Sequence, residues 1–151
     1  MYLYGASGHG KVIVEIAEEL GYDIEGFLDN NSNIKSIFDY PVTGQIPLNG
    51  EVFLSMGNNA TRKKIASSHI QFTYPTLIHP TAIVSKRATV SSGTVIMAGV
   101  TINSEVQIGK QCIINTSATL DHECIIEDYV HISPNVSLAG NVIVGEGAHV
   151  G

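Results

Sequence analysis

From Ile78 to Val150 an aliphatic residue returns at every sixth position without a missed step: Ile78, Val84, Val90, Ile96, Ile102, Ile108, Ile114, Leu120, Ile126, Ile132, Leu138, Val144 and Val150. Four residues after each, as far as Ala148, stands a small or β-branched residue, among them Ala82, Thr94, Val106, Cys112, Ala118, Cys124 and Val136. A helix of period 3.6 cannot keep either series on one face, and an ordinary strand of period two would need turn residues every few positions. A six-residue repeat signals a β-solenoid, whose stacked coils bury one continuous core. Three hexads, about 18 residues, make one coil of such a prism. Ile78, Ile96, Ile114 and Ile132 then form one internal ladder.

Upstream of Ile78 the pattern differs. Tyr2–Tyr4 reads as a strand, Lys11–Leu20 as a helix with apolar Val12, Ile13, Ile16 and Leu20, and Ile24–Leu28 as a second strand. A further strand is predicted at Val52–Met56, and a helix over Ala60–Ser67 begun by Gly57, Asn58 and Asn59. The expected architecture is a small parallel α/β domain over residues 1–76, of three or four strands, followed by a β-helix of about four coils over residues 77–151. Pro75 and Pro80 punctuate the junction.

Composition narrows the partners. Only 15% of residues are charged, the net charge is −6, and the basic residues are scattered apart from Arg62, Lys63 and Lys64. No basic stripe awaits nucleic acid. Cys112 and Cys124 lie in apolar surroundings without C-x-x-C spacing, so they read as small core residues and not as a disulfide or zinc framework. No apolar run approaches the roughly 18 residues of a membrane span. The N-terminus lacks a signal-peptide pattern. A soluble, cytoplasmic protein without a metal is the expectation.

Three features point to chemistry. Gly5, Gly8 and Gly10, within Gly5-Ala6-Ser7-Gly8-His9-Gly10, follow a predicted strand and open a helix, where backbone N–H groups can approach a phosphate. The spacing is G-x-x-G-x-G and not G-x-G-x-x-G, yet Asp29 stands where a Rossmann fold reads ribose, so on motif alone a nicotinamide cofactor remains open, as does a merely tight turn. His122, flanked by Asp121 and Glu123, is a candidate general base, since an imidazole titrates near neutrality, although a lone surface histidine beside two acids is more often merely solvated. Glu123 can hold that ring and stabilise its imidazolium. Gly140 falls one coil after His122 and should lie above it, where its N–H could meet a developing oxyanion, although a solenoid corner also favours glycine. Asn115, outward and seven residues before His122, is a candidate for orienting a substrate or the base.

The hexads resemble those of the hexapeptide-repeat acyltransferases. Tyr4-Gly-Ala-Ser-Gly-His-Gly10, Phe27-Leu-Asp-Asn30, Gly57-Asn-Asn59 with Arg62-Lys-Lys64, Asn115-Thr-Ser117, Asp121-His-Glu-Cys124 and Leu138-Ala-Gly-Asn141 resemble, more closely, the bacterial UDP-4-amino-sugar N-acetyltransferases of the bacillosamine pathway. The resemblance implies a Rossmann-like first domain, a left-handed parallel β-helix, a homotrimer, and transfer of acetyl from acetyl-CoA to the 4-amino group of a UDP-linked sugar by direct attack. It assigns UDP to the Gly5–Gly10 turn with Asp29 and Asn30, adds Gly57, Asn58 and Asn59 as substrate residues, and places His131 and Gly140 against acetyl-CoA. O-acetylation of a sialic-acid-type sugar is the nearest alternative, and a non-catalytic nucleotide-binding β-helical module a more distant one. Family members run on for several coils past the position of Gly151, which implies a shortened CoA groove and weakened CoA binding.

Overall fold

The computed structural model describes residues 1–151. Its contacts divide the chain after Pro75 into two compact units, Met1–Pro75 and Thr76–Gly151. No helix is long and apolar enough to cross a membrane.

In the first unit β1 (Tyr2–Tyr4) is followed by α1 (Gly8–Glu19) and β2 (Gly26–Leu28), which pairs in parallel with β1. The chain then makes β3 (Ser36–Ile37) and β4 (Tyr40–Thr43), crosses to β5 (Gly50–Leu54) on the other side of β1, and ends with α2 (Asn59–Ser68) and β6 (Phe72–Thr73). The sheet order is β3-β4-β2-β1-β5-β6, parallel except for β3 against β4. Its heart is Leu3, Phe27, Val52 and Phe53, with Ile13, Val14, Ile16 and Ala17 of α1 all buried. Each such aliphatic or aromatic side chain contributes about 1.5–3 kcal/mol.

Six strands replace the expected three or four because β3, β4 and β6 are short and carry no alternating apolar run. The strand order reverses at β1, whose neighbours are reached in opposite directions. Parallel sheets open a ligand crevice beyond the carboxyl ends of the strands at such a point.

In the second unit every hexad supplies one two-residue strand. One sheet stacks β7 (Leu77–Ile78), β10 (Val95–Ile96), β13 (Ile113–Ile114), β16 (His131–Ile132) and β19 (His149–Val150). A second stacks β8 (Ile83–Val84), β11 (Thr101–Ile102), β14 (Thr119–Leu120) and β17 (Ser137–Leu138). The third stacks β9 (Thr89–Val90), β12 (Gln107–Ile108), β15 (Ile125–Ile126) and β18 (Ile143–Val144). All pairs are parallel and in the register the repeat dictates, Ile96 beside Ile114 and Ile114 beside Ile132. The second strand residue fills the core: Ile96, Ile102, Ile108, Ile114, Leu120, Ile126 and Ile132 are buried. Val100, Val106, Cys112, Ala118, Cys124 and Val130 fill it at the corners, and both cysteines are free thiols there.

The corners are left-handed. Glu105, Gln111, Ser117, Glu123, Tyr129, Asn135 and Asn141 all have φ between 54° and 64°, in the same hexad phase as Gly93, Gly99 and Gly147. Outside glycine this conformation is disfavoured. Here inter-coil hydrogen bonds hold it, since the corner N–H of Glu123 donates to the Ser104 carbonyl (3.0 Å) and that of Asn141 to the His122 carbonyl (2.8 Å).

Candidate functional site

The His122–Glu123 peptide is therefore tied to the coil before it through Glu123 N–H and to the coil after it through the His122 carbonyl. The left-handed turn at Glu123 (φ 60°) brings its carboxylate back to the imidazole, with Nδ1 of His122 2.9 Å from Oε2 of Glu123. A carboxylate only accepts, so Nδ1 carries the hydrogen, and in the neutral ring Nε2 presents a lone pair. Both side chains are 56% exposed, so the pair orients the ring and adds little stability.

On the other side, Asp121 Oδ1 accepts from the His122 N–H (2.8 Å) and from Asn103 Nδ2 (2.9 Å). These two bonds, the backbone one foremost, hold the Asp121 carboxyl below its ordinary range. A depressed carboxyl keeps its bonds above the ordinary pKa and loses them only as pH falls through the lowered one. The clamp is thus intact at neutral pH.

Gly140 stands directly against the ring. A Cβ built on it would lie 2.5 Å from both Cε1 and Nε2 of His122, so only a glycine leaves room for the imidazole where Glu123 holds it. The one-coil spacing is responsible, as strands β14 and β17 pair Leu120 with Leu138.

The structure does not bring His131 to this corner. His122 lies between β14 and β15, while His131 is in β16, on the sheet across the prism. His131 is only 9% exposed. Its Nε2 is 3.0 Å from Asn115 Nδ2, and its ring stacks on His149 of the next coil at 4.3 Å and 9°. The same device repeats one coil on, with Ser133 Oγ 2.9 Å from His149 Nε2. Sequence reasoning gave His149 no role, although the one-coil spacing from His131 announced the stack. Asn115 belongs with His131 and not with His122.

In the first unit, Gly5, Ala6, Ser7, Gly8, Asp29 and Asn30 of the expected substrate residues line clefts near the reversal point, while His9, Gly10, Gly57, Asn58 and Asn59 line none of these clefts. Asp29, at the end of β2, accepts from the Ala6 N–H at Oδ2 (2.8 Å) and the Asn31 N–H at Oδ1 (2.9 Å), which fixes the glycine turn against the β2 loop. Gly5 has φ 118°, and Gly10 is packed so that a Cβ would come 2.6 Å from the Gly5 carbonyl oxygen. The turn can close this tightly only with glycine at both positions. Helix α1 begins at Gly8 with Ser7 as N-cap, whose side chain makes no capping bond. His9 is half-buried in its first turn. Helix N-termini favour anions through unsatisfied N–H groups and the dipole.

Three clefts adjoin there. One of about 270 Å³ holds Tyr4, Gly5, Ser7, Asp29, Asn30 and Thr61. One of about 370 Å³ runs from Asp29 and Asn30 to Lys35, Thr43 and Gln45. One of about 380 Å³ holds Ala6, Ser7, Gly8, Lys11 and Phe38. Burial, and then the Asp29 carboxylate, push the Tyr4 phenol up, so it stays a donor.

Gly57, Asn58 and Asn59 have a different first duty. Asn58 Oδ1 caps α2 by accepting from Thr61 N–H (2.8 Å), and Asn59 Oδ1 accepts from the buried Arg62 guanidinium (2.9 Å), which also donates to the Met56 and Gly57 carbonyls. Arg62 thus ties this segment to the start of α2, a structural role the sequence did not announce. No group of three or more His, Cys, Asp or Glu side chains is placed to hold a metal ion.

Residues 1–69 match the family described as the PglD N-terminal domain. The UDP-N-acetylbacillosamine N-acetyltransferase of Bacillus subtilis (strain 168) is 39% identical over 64% of this chain and 50% of its own length. Perosamine N-acetyltransferase from Caulobacter crescentus, solved as a His-to-Asn variant in complex with CoA and GDP-perosamine, aligns with a TM-score of 0.90 and 29% identity over 98% of this chain and 75% of its own. The acetyltransferase domain of PglB from Neisseria gonorrhoeae FA1090, in complex with acetyl coenzyme A, aligns with a TM-score of 0.89. At 35% identity over 98% of this chain and 77% of that domain, the likeness extends through both units, and the chain belongs to the hexapeptide-repeat sugar-nucleotide N-acetyltransferases.

Proposed function

We propose that the protein transfers acetyl from acetyl-CoA to the 4-amino group of a UDP-linked sugar. One observation carries the reading: an imidazole held through Nδ1 by a carboxylate at 2.9 Å and seated against a glycine one coil away. His122 Nε2 takes the proton from the amine as the nitrogen attacks the thioester carbonyl, and Glu123 stabilises the imidazolium that forms. The Gly140 N–H donates to the oxygen on which negative charge develops. When the tetrahedral adduct collapses, the imidazolium returns the proton to the departing CoA sulfur. No covalent acyl-enzyme is needed. The named relatives include a UDP-N-acetylbacillosamine N-acetyltransferase, a perosamine N-acetyltransferase bound to CoA and GDP-perosamine, and an acetyltransferase domain bound to acetyl coenzyme A, which supports the same pair of substrates here.

The first unit, in this reading, is a Rossmann-like sugar-nucleotide domain. Its Gly5–Gly10 turn meets the pyrophosphate at the start of α1, and Asp29 with Asn30 meets uridine. The second unit is a left-handed coil that works as a homotrimer. The opposite placement of His122 and His131 on one prism supports this, because a groove shared by two copies is what allows both to reach one acetyl-CoA.

Calorimetry with two ligands separates the assignments. Asp29→Ala should weaken UDP binding about tenfold or more, the scale of a lost charge-assisted hydrogen bond, and leave CoA binding unchanged. Unchanged UDP affinity would remove the nucleotide from the first unit.

A further inference from the structure

We propose that Phe38 is the platform on which the base of the bound nucleotide stacks. Phe38 sits in the turn between β3 and β4 and breaks two local rules at once. Its φ is 49°, in the left-handed region that bulky side chains avoid, and the residue is 53% exposed. A sequence that tolerates both losses at one position gains something there that the isolated chain lacks.

The cleft that Phe38 lines points to what that is. Its lining combines Ser7, Gly8 and Lys11, at the cationic beginning of α1, with apolar Ile34, Ile37 and Phe38. A ligand with an anionic group at one end and a flat, weakly polar ring at the other fits this combination. A nucleoside diphosphate is such a molecule, and its base offers a π-face to an exposed phenyl ring whatever its hydrogen-bonding edge. The inference rests on the sugar-nucleotide reading above and extends it to the residue that grips the base. Asn30 and Lys35, in the adjoining cleft that shares Ile34, remain free to read the base edge.

The test is calorimetry on the whole chain with UDP, GDP and inorganic pyrophosphate. Phe38→Ala should bind the better nucleotide about tenfold more weakly, the size of one offset-stacked aromatic pair. It should bind pyrophosphate as the unaltered protein does, and Phe38→Tyr should restore the nucleotide affinity. Phe38→Gly, which relieves the positive φ, should lose the same affinity while melting no lower than the unaltered protein. If the unaltered protein binds a nucleotide and Phe38→Ala binds it equally well, the platform is overturned and the nucleotide reading stands. A loss shared by pyrophosphate and accompanied by a lower melting temperature would assign the ring to the fold and also overturn it. If the unaltered protein binds neither UDP nor GDP, the nucleotide reading fails and the platform with it.

Discussion

Replacing His122 by alanine is expected to lower kcat by about 10²- to 10⁴-fold, the usual contribution of a positioned base, with little change in either KM. The side chain is 56% exposed and makes its one side-chain hydrogen bond to a neighbour in sequence, so its loss leaves the coil intact. Substrate binding falls to other residues in this account, which is why the loss appears in kcat. The deficit should shrink as pH rises, because more of the amine is then neutral and the base has less to do. A variant that had merely misfolded would be inactive at every pH. Steady-state rates across a pH series, with circular dichroism on the same samples, make the comparison. A variant with near-normal kcat at neutral pH would take His122 out of the mechanism.

Gly140→Ala should be nearly as damaging for a different reason. Alanine keeps the backbone N–H, so the proposed donor to the oxyanion survives. Its methyl group cannot occupy a place 2.5 Å from Cε1 and Nε2 of His122 unless the ring leaves. The ring is the free end of an exposed side chain, so it swings out and the fold is spared, but the contact with Glu123 is lost. Misplacement by about an ångström can reduce a rate roughly 10²-fold. The expected outcome is therefore a kcat loss of about that size with a melting temperature within a few degrees of the unaltered protein. Full activity in Gly140→Ala would show that the ring works from another position.

Much of the second unit was legible because a period of six has no counterpart among helices or ordinary strands. The same count put Gly140 over His122; it also spaces His131 and His149 one coil apart, but the stack between them was not read from it. What the count could not give is the corner geometry. Glu123 reaches His122 because its backbone is left-handed, and nothing in the residue type says so. In the first unit β1, β2 and α1 were legible from their apolar periodicity. So was β5, expected at Val52–Met56, but β3, β4 and β6 were not, because strands of two to four residues, one with Pro41 in it, carry no periodic signal. Asn58 and Asn59 read from the sequence as the start of a helix and, through the resemblance, as ligand contacts, since asparagine serves both. Only the bonds to Thr61 and Arg62 reveal what their Oδ1 atoms already do. Phe38 was silent for the same reason, since a lone phenylalanine reads as core until its exposure and backbone angle are known.

The reading as a whole stands or falls on one product. Incubated with acetyl-CoA and a UDP-linked 4-amino sugar, the protein should release free CoA and convert the sugar nucleotide to its 4-acetamido derivative. Mass spectrometry would show the added acetyl group, and it should persist under hydroxylamine, which cleaves an ester and leaves an amide. The His122→Ala protein should form the same product far more slowly. An acetylated product that hydroxylamine strips would mean that a hydroxyl is the acceptor, and no product at any enzyme concentration would contradict the assignment of this chain as an amine acetyltransferase.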